Sequence, residues 1–341
     1  MTRRVTIKDL ARELGISHST VARALTGNPH VLPETKARVL EAAAKLGYVV
    51  NSGARILRAG TSTIVGFVIP DVQNEVMAVS AKSIGECCVA NGHQMVLSNS
   101  DEDPDLELAS IRALAEIRAA GAVVMLTSSP RRETLNLLKE FPVVQILRRN
   151  AALNADWVGI DDGESMALAA RHLIELGHTR IGYVGGVIEL NTGSDRLAGY
   201  RRVLEEHGLP YDETIVSTGS VRAGFARGTV EPLLRADPRP TAVIGAGSRI
   251  TLGVLEGLEA LGLRIPDDLS VVGYTDPSWL RGWGPGITTV SVPIREVGAA
   301  AGALVMKRVH EDWSPNDASI VPVSSTFAPS LVVRGSTSSR Q

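Results

Sequence analysis

The sequence predicts an α/β protein: a small all-helical head joined to a larger body of parallel strands and helices arranged as two lobes. Three observations lead there. At 341 residues the chain exceeds what one hydrophobic core usually organises, so two or three folding units are expected. Charge is divided unevenly: residues 1–60 hold ten Lys or Arg against four Asp or Glu, a net +6, and the rest holds 25 against 33, a net −8, which together give the chain's −2. From Ile64 onward, short β-rich runs alternate with helical segments in two successive sets, the pattern of parallel sheets with helices on both faces.

In the head, Thr6 followed by Asp9 reads as a capping box. Ile7, Leu10 and Ala11 then keep one-face helical spacing until Gly15 ends the first helix. Ser17 caps a second helix on which Val21, Ala24 and Leu25 face inward, and Gly27 closes it. Two short helices around a glycine turn make a helix-turn-helix. His18, Ser19, Ala22 and Arg23 are left on the outer face, where they would meet base edges if this helix entered a major groove. Pro33 opens a third helix through Val39, Leu40 and Ala43 to Leu46, and Leu10, Val21, Leu25, Leu40 and Leu46 are the expected core. A helical bundle with a solvated basic face would satisfy the same spacing.

The body's expected strands are "IVGFVI", "QMVLS", "AVVML" and "VVQIL", then "RIGYVG", "AVIGA" and "SVVGY". Hydrophobic content of 44% and charged content of 21% suit a globular chain, and no run approaches the roughly 18 apolar residues of a membrane span. The polar N-terminus lacks the apolar stretch of a signal peptide. Cys87 and Cys88, adjacent in sequence, suit neither an ordinary disulfide nor a spaced metal site. A cytoplasmic protein without metal, cofactor or membrane partner is expected. "GAGSRI" has Ile250 where a dinucleotide fingerprint needs its third glycine, no nucleophile elbow or phosphate-binding loop occurs, and catalysis has little support.

"TIKDLARELGISHSTVARALTG", "PETKARVLEAAAKLGY" and "NSGARILRAG", followed by "HLIELGHTRIGYVGG", "RLAGY", "PDDLSVVGY" and "GITTVSVP", together resemble the LacI/GalR (lactose-repressor) family of bacterial transcription regulators. The resemblance covers about 330 residues in fixed order. It implies a homodimer on near-palindromic operator DNA and a two-lobed, periplasmic-binding-protein-like core that takes a small-molecule effector. DNA contacts would come from Thr6, Ser17, His18, Ser19, Thr20, Arg23 and Asn28, and from Asn51, Arg55 and Leu57 of a hinge helix. Leu57 would wedge into the minor groove. The implied division is a head at 1–49, hinge at 50–60, first lobe at 61–161 and 291–320, second lobe at 162–290 and 321–335, and a polar tail at 336–341. The chain would cross between lobes near Asp161, Val290 and Val321. "RGSTSSRQ" carries no leucine heptads, so a dimer rather than a tetramer is expected.

Departures from the family pattern are also visible. Ala22 stands where members commonly have Ser, Leu32 where a Ser caps the third helix, and Val50 where a proline is common. In the effector cleft, Arg196 matches the family's ligand-binding arginine, with Thr192 beside it on what reads as a loop. Leu147 replaces an Asp, Gly247 and Ser248 replace an "ND" pair, Thr275 replaces another Asp ahead of Asp276, and Gly219 replaces a stacking aromatic. Fewer carboxylates weaken the case for a neutral sugar. Trp279 and Trp283 are candidates to stack on a ligand ring, and Arg196 with Arg148 or Arg281 suggests an anionic ligand group. Arg148 has a structural alternative as partner of an aspartate such as Asp161, and Arg196 as partner of Asp195 or a neighbouring carboxylate.

Two other functions fit parts of the chain. A free solute-binding protein shares the expected body but would be exported and lack the basic head. A DNA-binding regulator without effector response would keep the head and tolerate the altered cleft.

Overall fold

The computed structural model describes residues 5–25, 28–48, 61–220, 222–311, 313–314 and 321–340. These fall into two units, Met1–Ser62 and Thr63–Gln341. Asn51, Arg55 and Leu57 of the expected hinge lie outside the described residues.

The first unit contains α1 (Ile7–Leu14), α2 (His18–Leu25) and α3 (Pro33–Lys45). Asp9 ties down the start of α1 by accepting from the Thr6 backbone N–H at 3.0 Å and from its hydroxyl at 2.6 Å. Gly15, at φ 66°, supplies the left-handed turn that an L side chain would resist. Ser17 Oγ then accepts from the Thr20 N–H at 3.1 Å and caps α2. Leu32 precedes α3 without a side-chain cap, as its apolar side chain dictates. Leu10, Val21, Ala24, Val39, Ala42 and Ala43 form the core, with Leu25 and Leu46 at its margin. Leu40, expected inside, is instead exposed. Neighbours on a helix point about 100° apart, and the stripe through Val39, Ala42, Ala43 and Leu46 leaves Leu40 outside.

The second unit has two six-stranded sheets. The first lobe is built from β1 (Ile64–Ile69), α4 (Glu75–Ala90), β2 (Gln94–Asn99), α5 (Pro104–Glu116), β3 (Gly121–Val124), α6 (Arg132–Leu137), β4 (Val143–Ile146) and β5 (Asp156–Ile160). The second lobe follows with α7 (Asp162–Glu175), β6 (Ile181–Gly185), α8 (Asn191–Glu206), β7 (Val216–Thr218), α9 (Ala223–Leu234), β8 (Ala242–Gly245), α10 (Ser248–Ala260), β9 (Ser270–Tyr274), α11 (Ser278–Gly282) and β10 (Thr288–Ser291). The chain returns through α12 (Ile294–His310), β11 (Ser324–Phe327) and β12 (Ser330–Val332). Strand orders are β11-β5-β4-β3-β1-β2, entirely parallel, and β12-β10-β9-β8-β6-β7, parallel except for β12. β3, β4, β6, β8 and β9 are buried throughout, which is why they read as continuous Val/Ile-rich runs.

The chain passes between lobes at Asp161, between Ser291 and Ile294, and between Phe327 and Ser330. The third passage corrects the expected crossing at Val321: Ser324–Phe327 pairs in parallel with β5, so residues 321–327 belong to the first lobe. A buried ion pair holds them there. Asp156 takes Arg308 Nε and Nη2 at 2.7 and 2.9 Å, and also accepts from the Val323 N–H at 2.7 Å.

Residues 336–340, expected as a tail, pack on the second lobe. Ser336 is fully buried, accepts from the Thr288 N–H at 2.8 Å and donates to the Val271 carbonyl at 2.7 Å. His172 Nε2 lies 3.0 Å from Thr337 Oγ1, and His178 sits between Thr241 Oγ1 at 2.8 Å and the Ser338 carbonyl at 3.0 Å. Burial holds both imidazoles below their ordinary pKa. As pH falls below about 6.5, the unfolded chain takes up protons that the folded lobe resists, so stability present at neutral pH is progressively lost. The urea midpoint, followed by tryptophan fluorescence, should be lower at about pH 5.5 than at about pH 7.5. His178→Gln should narrow that gap; an equal gap in both proteins would exclude His178 as a source.

Candidate functional site

Two surfaces carry the chemistry, one in each unit. On the head, His18, Ser19 and Arg23 are exposed along one face of α2, while Ala22 and Thr20 are half-buried beside them. Thr20 Oγ1 lies 2.8 Å from Ser17 Oγ, and Asn28 Oδ1 accepts from the His30 N–H at 2.9 Å. The helix is thus braced by its own polar residues while the outer face offers an imidazole, a hydroxyl and a guanidinium.

In the body, a cleft opens where strands of both lobes end. Pro70 and Asp71 follow β1, Leu147 and Arg148 follow β4, Gly186 and Val187 follow β6, Ala246 and Gly247 follow β8, and Thr275 follows β9. Loops at strand carboxyl ends are where open α/β sheets bind ligands. Leu147 and Thr275 both have positive φ, 59° and 67°, although neither is glycine. Backbone hydrogen bonds hold these strained turns: the Leu147 and Thr275 N–H groups donate to Val158 and Val290 at 2.8 Å, and Trp157 Nε1 donates to the Leu147 carbonyl at 3.1 Å.

Arg196 reaches the cleft from α8, not from a loop, as does Thr192 in the first turn of the same helix. Its Nε donates to Asp162 Oδ1 at 2.7 Å, Nη1 to the Ala246 carbonyl at 3.0 Å and Nη2 to Tyr274 Oη at 3.0 Å. Tyr274 in turn donates to Asp162 at 3.1 Å, closing a triangle. Of the expected carboxylate partners, it is the neighbouring Asp162 and not Asp195 itself that pairs with Arg196. Desolvation raises the Asp162 pKa against the pull of Arg196, and burial likewise raises that of Tyr274. Of five guanidinium N–H groups, three are used, leaving two on the terminal nitrogens for a ligand.

Of the other expected cleft residues, Thr192, Leu147, Gly247, Ser248 and Thr275 line the same space. Asp276 does not: it borders an adjacent groove and pairs with Arg334 at 2.8 Å. Trp279 and Trp283 are also elsewhere, edge to face at 6.3 Å against the second-lobe core. Trp279 Nε1 bonds Glu75 Oε2 at 3.2 Å, so it joins the lobes beside the cleft instead of stacking inside it. Arg281 is exposed beside Asp276, 3.8 Å away. Arg148 lines the cleft, but its partner is Glu102, through Nη1 at 3.1 Å, and not Asp161, whose carboxylate caps α7 at the Glu164 N–H. Gly219 does not line the cleft, and an added Cβ there would fall 2.8 Å from the Phe225 ring. Sequence reasoning overlooked Asp71, Glu102, Arg249 and Tyr274 in the cleft.

Residues 6–51 match the family described as "Bacterial regulatory proteins, lacI family", and residues 170–337 match "Periplasmic binding protein-like domain". The catabolite control protein A of Priestia megaterium is 32% identical over 93% of this chain and 96% of its own length. The chain belongs to the LacI family. The HTH-type transcriptional repressor PurR of Pectobacterium carotovorum is 31% identical over 94% of this chain and 95% of its own. Among solved structures, a complex of the transcriptional regulator CelR with cellobiose superposes at TM-score 0.72 with 27% identity, covering 98% of this chain and all of that one. A lac repressor dimer bound to operator and an anti-inducer superposes at 0.83 with 22% identity and the same coverage, which adds likeness of fold. As a LacI-family member the protein is a DNA-binding transcription regulator and not an enzyme, with a head that carries the DNA-binding motif and a body of the ligand-binding fold. Among the described residues no helix is long and apolar enough to cross a membrane.

Proposed function

We propose that the protein works in the cytoplasm as a homodimer whose two heads read a near-palindromic operator, and whose interlobe cleft binds the small molecule that sets operator affinity. One observation carries this reading: a single chain joins an exposed, polar second helix of a helix-turn-helix to a cleft into which Arg196 keeps two uncommitted donors. Arg23 is the first choice for base contact, its planar fork matching a guanine edge, with His18 and Ser19 reading neighbouring positions. Thr6, Ser17, Thr20 and Asn28 would contact the DNA backbone, and the hinge residues Asn51, Arg55 and Leu57, outside the described residues, would act at the operator centre.

Effector control requires the ligand to favour one arrangement of the lobes, with a coupling typically of about 1–3 kcal/mol. Contacts that depend on lobe arrangement are already visible. Besides Trp279 and Glu75, Asn191 Oδ1 accepts from the Arg149 N–H at 2.8 Å, and Arg222 reaches the Asp101 carbonyl at 3.3 Å. That one similar regulator forms a complex with cellobiose supports a small-molecule ligand, without naming the ligand here.

The test is selection of duplexes from a random pool, with and without candidate effectors. Wild type should enrich a sequence with approximate two-fold symmetry. Arg23→Ala should relax preference at one position in each half-site, where discrimination against the wrong base should shrink by about 1–3 kcal/mol. Equal weakening on every sequence would make Arg23 a phosphate anchor, and enrichment of nothing would remove the operator reading.

A further inference from the structure

The charges lining the cleft are unevenly matched. Arg196 is neutralised by Asp162, and Arg148 by Glu102. Arg249, at the second position of α10, has no ion pair among the described residues, and its Nε is buried without a hydrogen-bond partner. It stands where a cation is least expected. The N-terminus of a helix carries partial positive charge and unpaired N–H groups, and α10 begins at Gly247 with no side-chain cap and no acid in its first turn.

A second, independent group lines the same space. Thr275 is only 6% exposed, and its Oγ1 is buried with no hydrogen-bond partner among the described residues. Its backbone is held at φ 67°, a cost that a merely structural threonine does not require. Ser248, also buried, makes no side-chain hydrogen bond among the described residues and lines the cleft beside Arg249. An unneutralised guanidinium, an uncapped helix N-terminus and two hydroxyls thus line one cleft with no acceptor among the described residues. Asp71 lines the cleft too, with Met77 and Met125 as apolar neighbours.

We propose that this end of the cleft is an oxyanion subsite, and that the effector carries a carboxylate or phosphate held by Arg249, the first turn of α10, Ser248 and Thr275. Asp71 would accept from hydroxyl or amino groups elsewhere on the ligand. The proposal rests on the cleft being the effector site. It also relocates the positive charge that the sequence suggested, since Arg148 and Arg281 are both paired.

The probe is inorganic phosphate, against chloride at matched ionic strength, with thermal melting of wild type, Arg249→Ala and Arg249→Lys. Arg249 makes no side-chain hydrogen bond or ion pair among the described residues, so the variants should fold. Phosphate affinity should fall about ten- to a hundredfold in Arg249→Ala and be partly kept in Arg249→Lys. Equal stabilisation of wild type and Arg249→Ala, or none in either, overturns the subsite. Matched pairs then separate the anion sources: glucose with gluconate for carboxylate, and glucose with glucose 6-phosphate for phosphate. A neutral ligand that changes operator binding equally in wild type and Arg249→Ala would leave the effector site standing and sink the anion. Arg249-dependent phosphate binding in a protein whose operator affinity no cleft ligand alters would do the reverse.

Discussion

Arg196→Ala should destabilise the body by about 3–5 kcal/mol with no ligand present, because it leaves a carboxylate buried without its cation. Asp162 is 4% exposed, and after the substitution only the Tyr274 hydroxyl and solvent rearrangement could compensate it. Burial already raises the Asp162 pKa despite Arg196, so removing the guanidinium must raise it further. A carboxyl whose folded pKa lies above its unfolded value loses stability as pH rises between the two. The deficit of Arg196→Ala should therefore grow as pH rises above the ordinary carboxylate range, and Asp162→Asn added to it should flatten that growth. All four tryptophans, at 157, 279, 283 and 313, lie in the body, so urea melts read by their fluorescence follow this unit. A deficit under about 1 kcal/mol, or one independent of pH, would show that the pair carries little of the fold. The same result warns that loss of ligand response in Arg196→Ala cannot by itself assign a ligand contact. Arg249→Ala, which breaks no hydrogen bond or ion pair among the described residues, is the cleaner probe of the cleft.

Much of the fold was legible because its physics is local. Strands such as "IVGFVI" and "AVIGA" are covered on both faces and must be continuously apolar, and glycines 15 and 47 sit in the left-handed turns that end helices. What was not legible depended on pairing or on phase. Ser324–Phe327 is a polar edge strand, alternately exposed, and only its pairing with β5 places it in the first lobe. Leu40 and Val39 are adjacent, and a choice between them turns on a rotation of about 100° that composition does not reveal.

The cleft shows the same division. Arg196 was visible through family resemblance, whereas Asp162 and Tyr274 lie 34 and 78 residues from it and meet it only in the fold. The tryptophans after β9 were misplaced because α11 turns them onto the second-lobe core. Arg249 did leave a signal. An arginine immediately after a strand and a glycine turn, at the positive end of the following helix, is electrostatically misplaced unless an anion joins it.

The largest effect expected of the whole molecule is on operator binding, which should weaken by roughly 10³ to 10⁵ between about 50 and 200 mM salt if about six to ten phosphates are neutralised. The charge that permits this is confined to the head: residues 1–60 carry +6 while the remainder carries −8. The proposed dimer would bring two heads, enough cations for that number of phosphates. Fluorescence anisotropy on a labelled operator gives the slope of log affinity against log salt, and a flat line would remove the phosphate interface. The slope also decides what Arg23 does. If it reads a base, Arg23→Ala lowers affinity for the selected sequence while the salt slope is unchanged. If it grips phosphate, the slope itself falls by about 0.9 for each phosphate no longer neutralised, on every sequence alike.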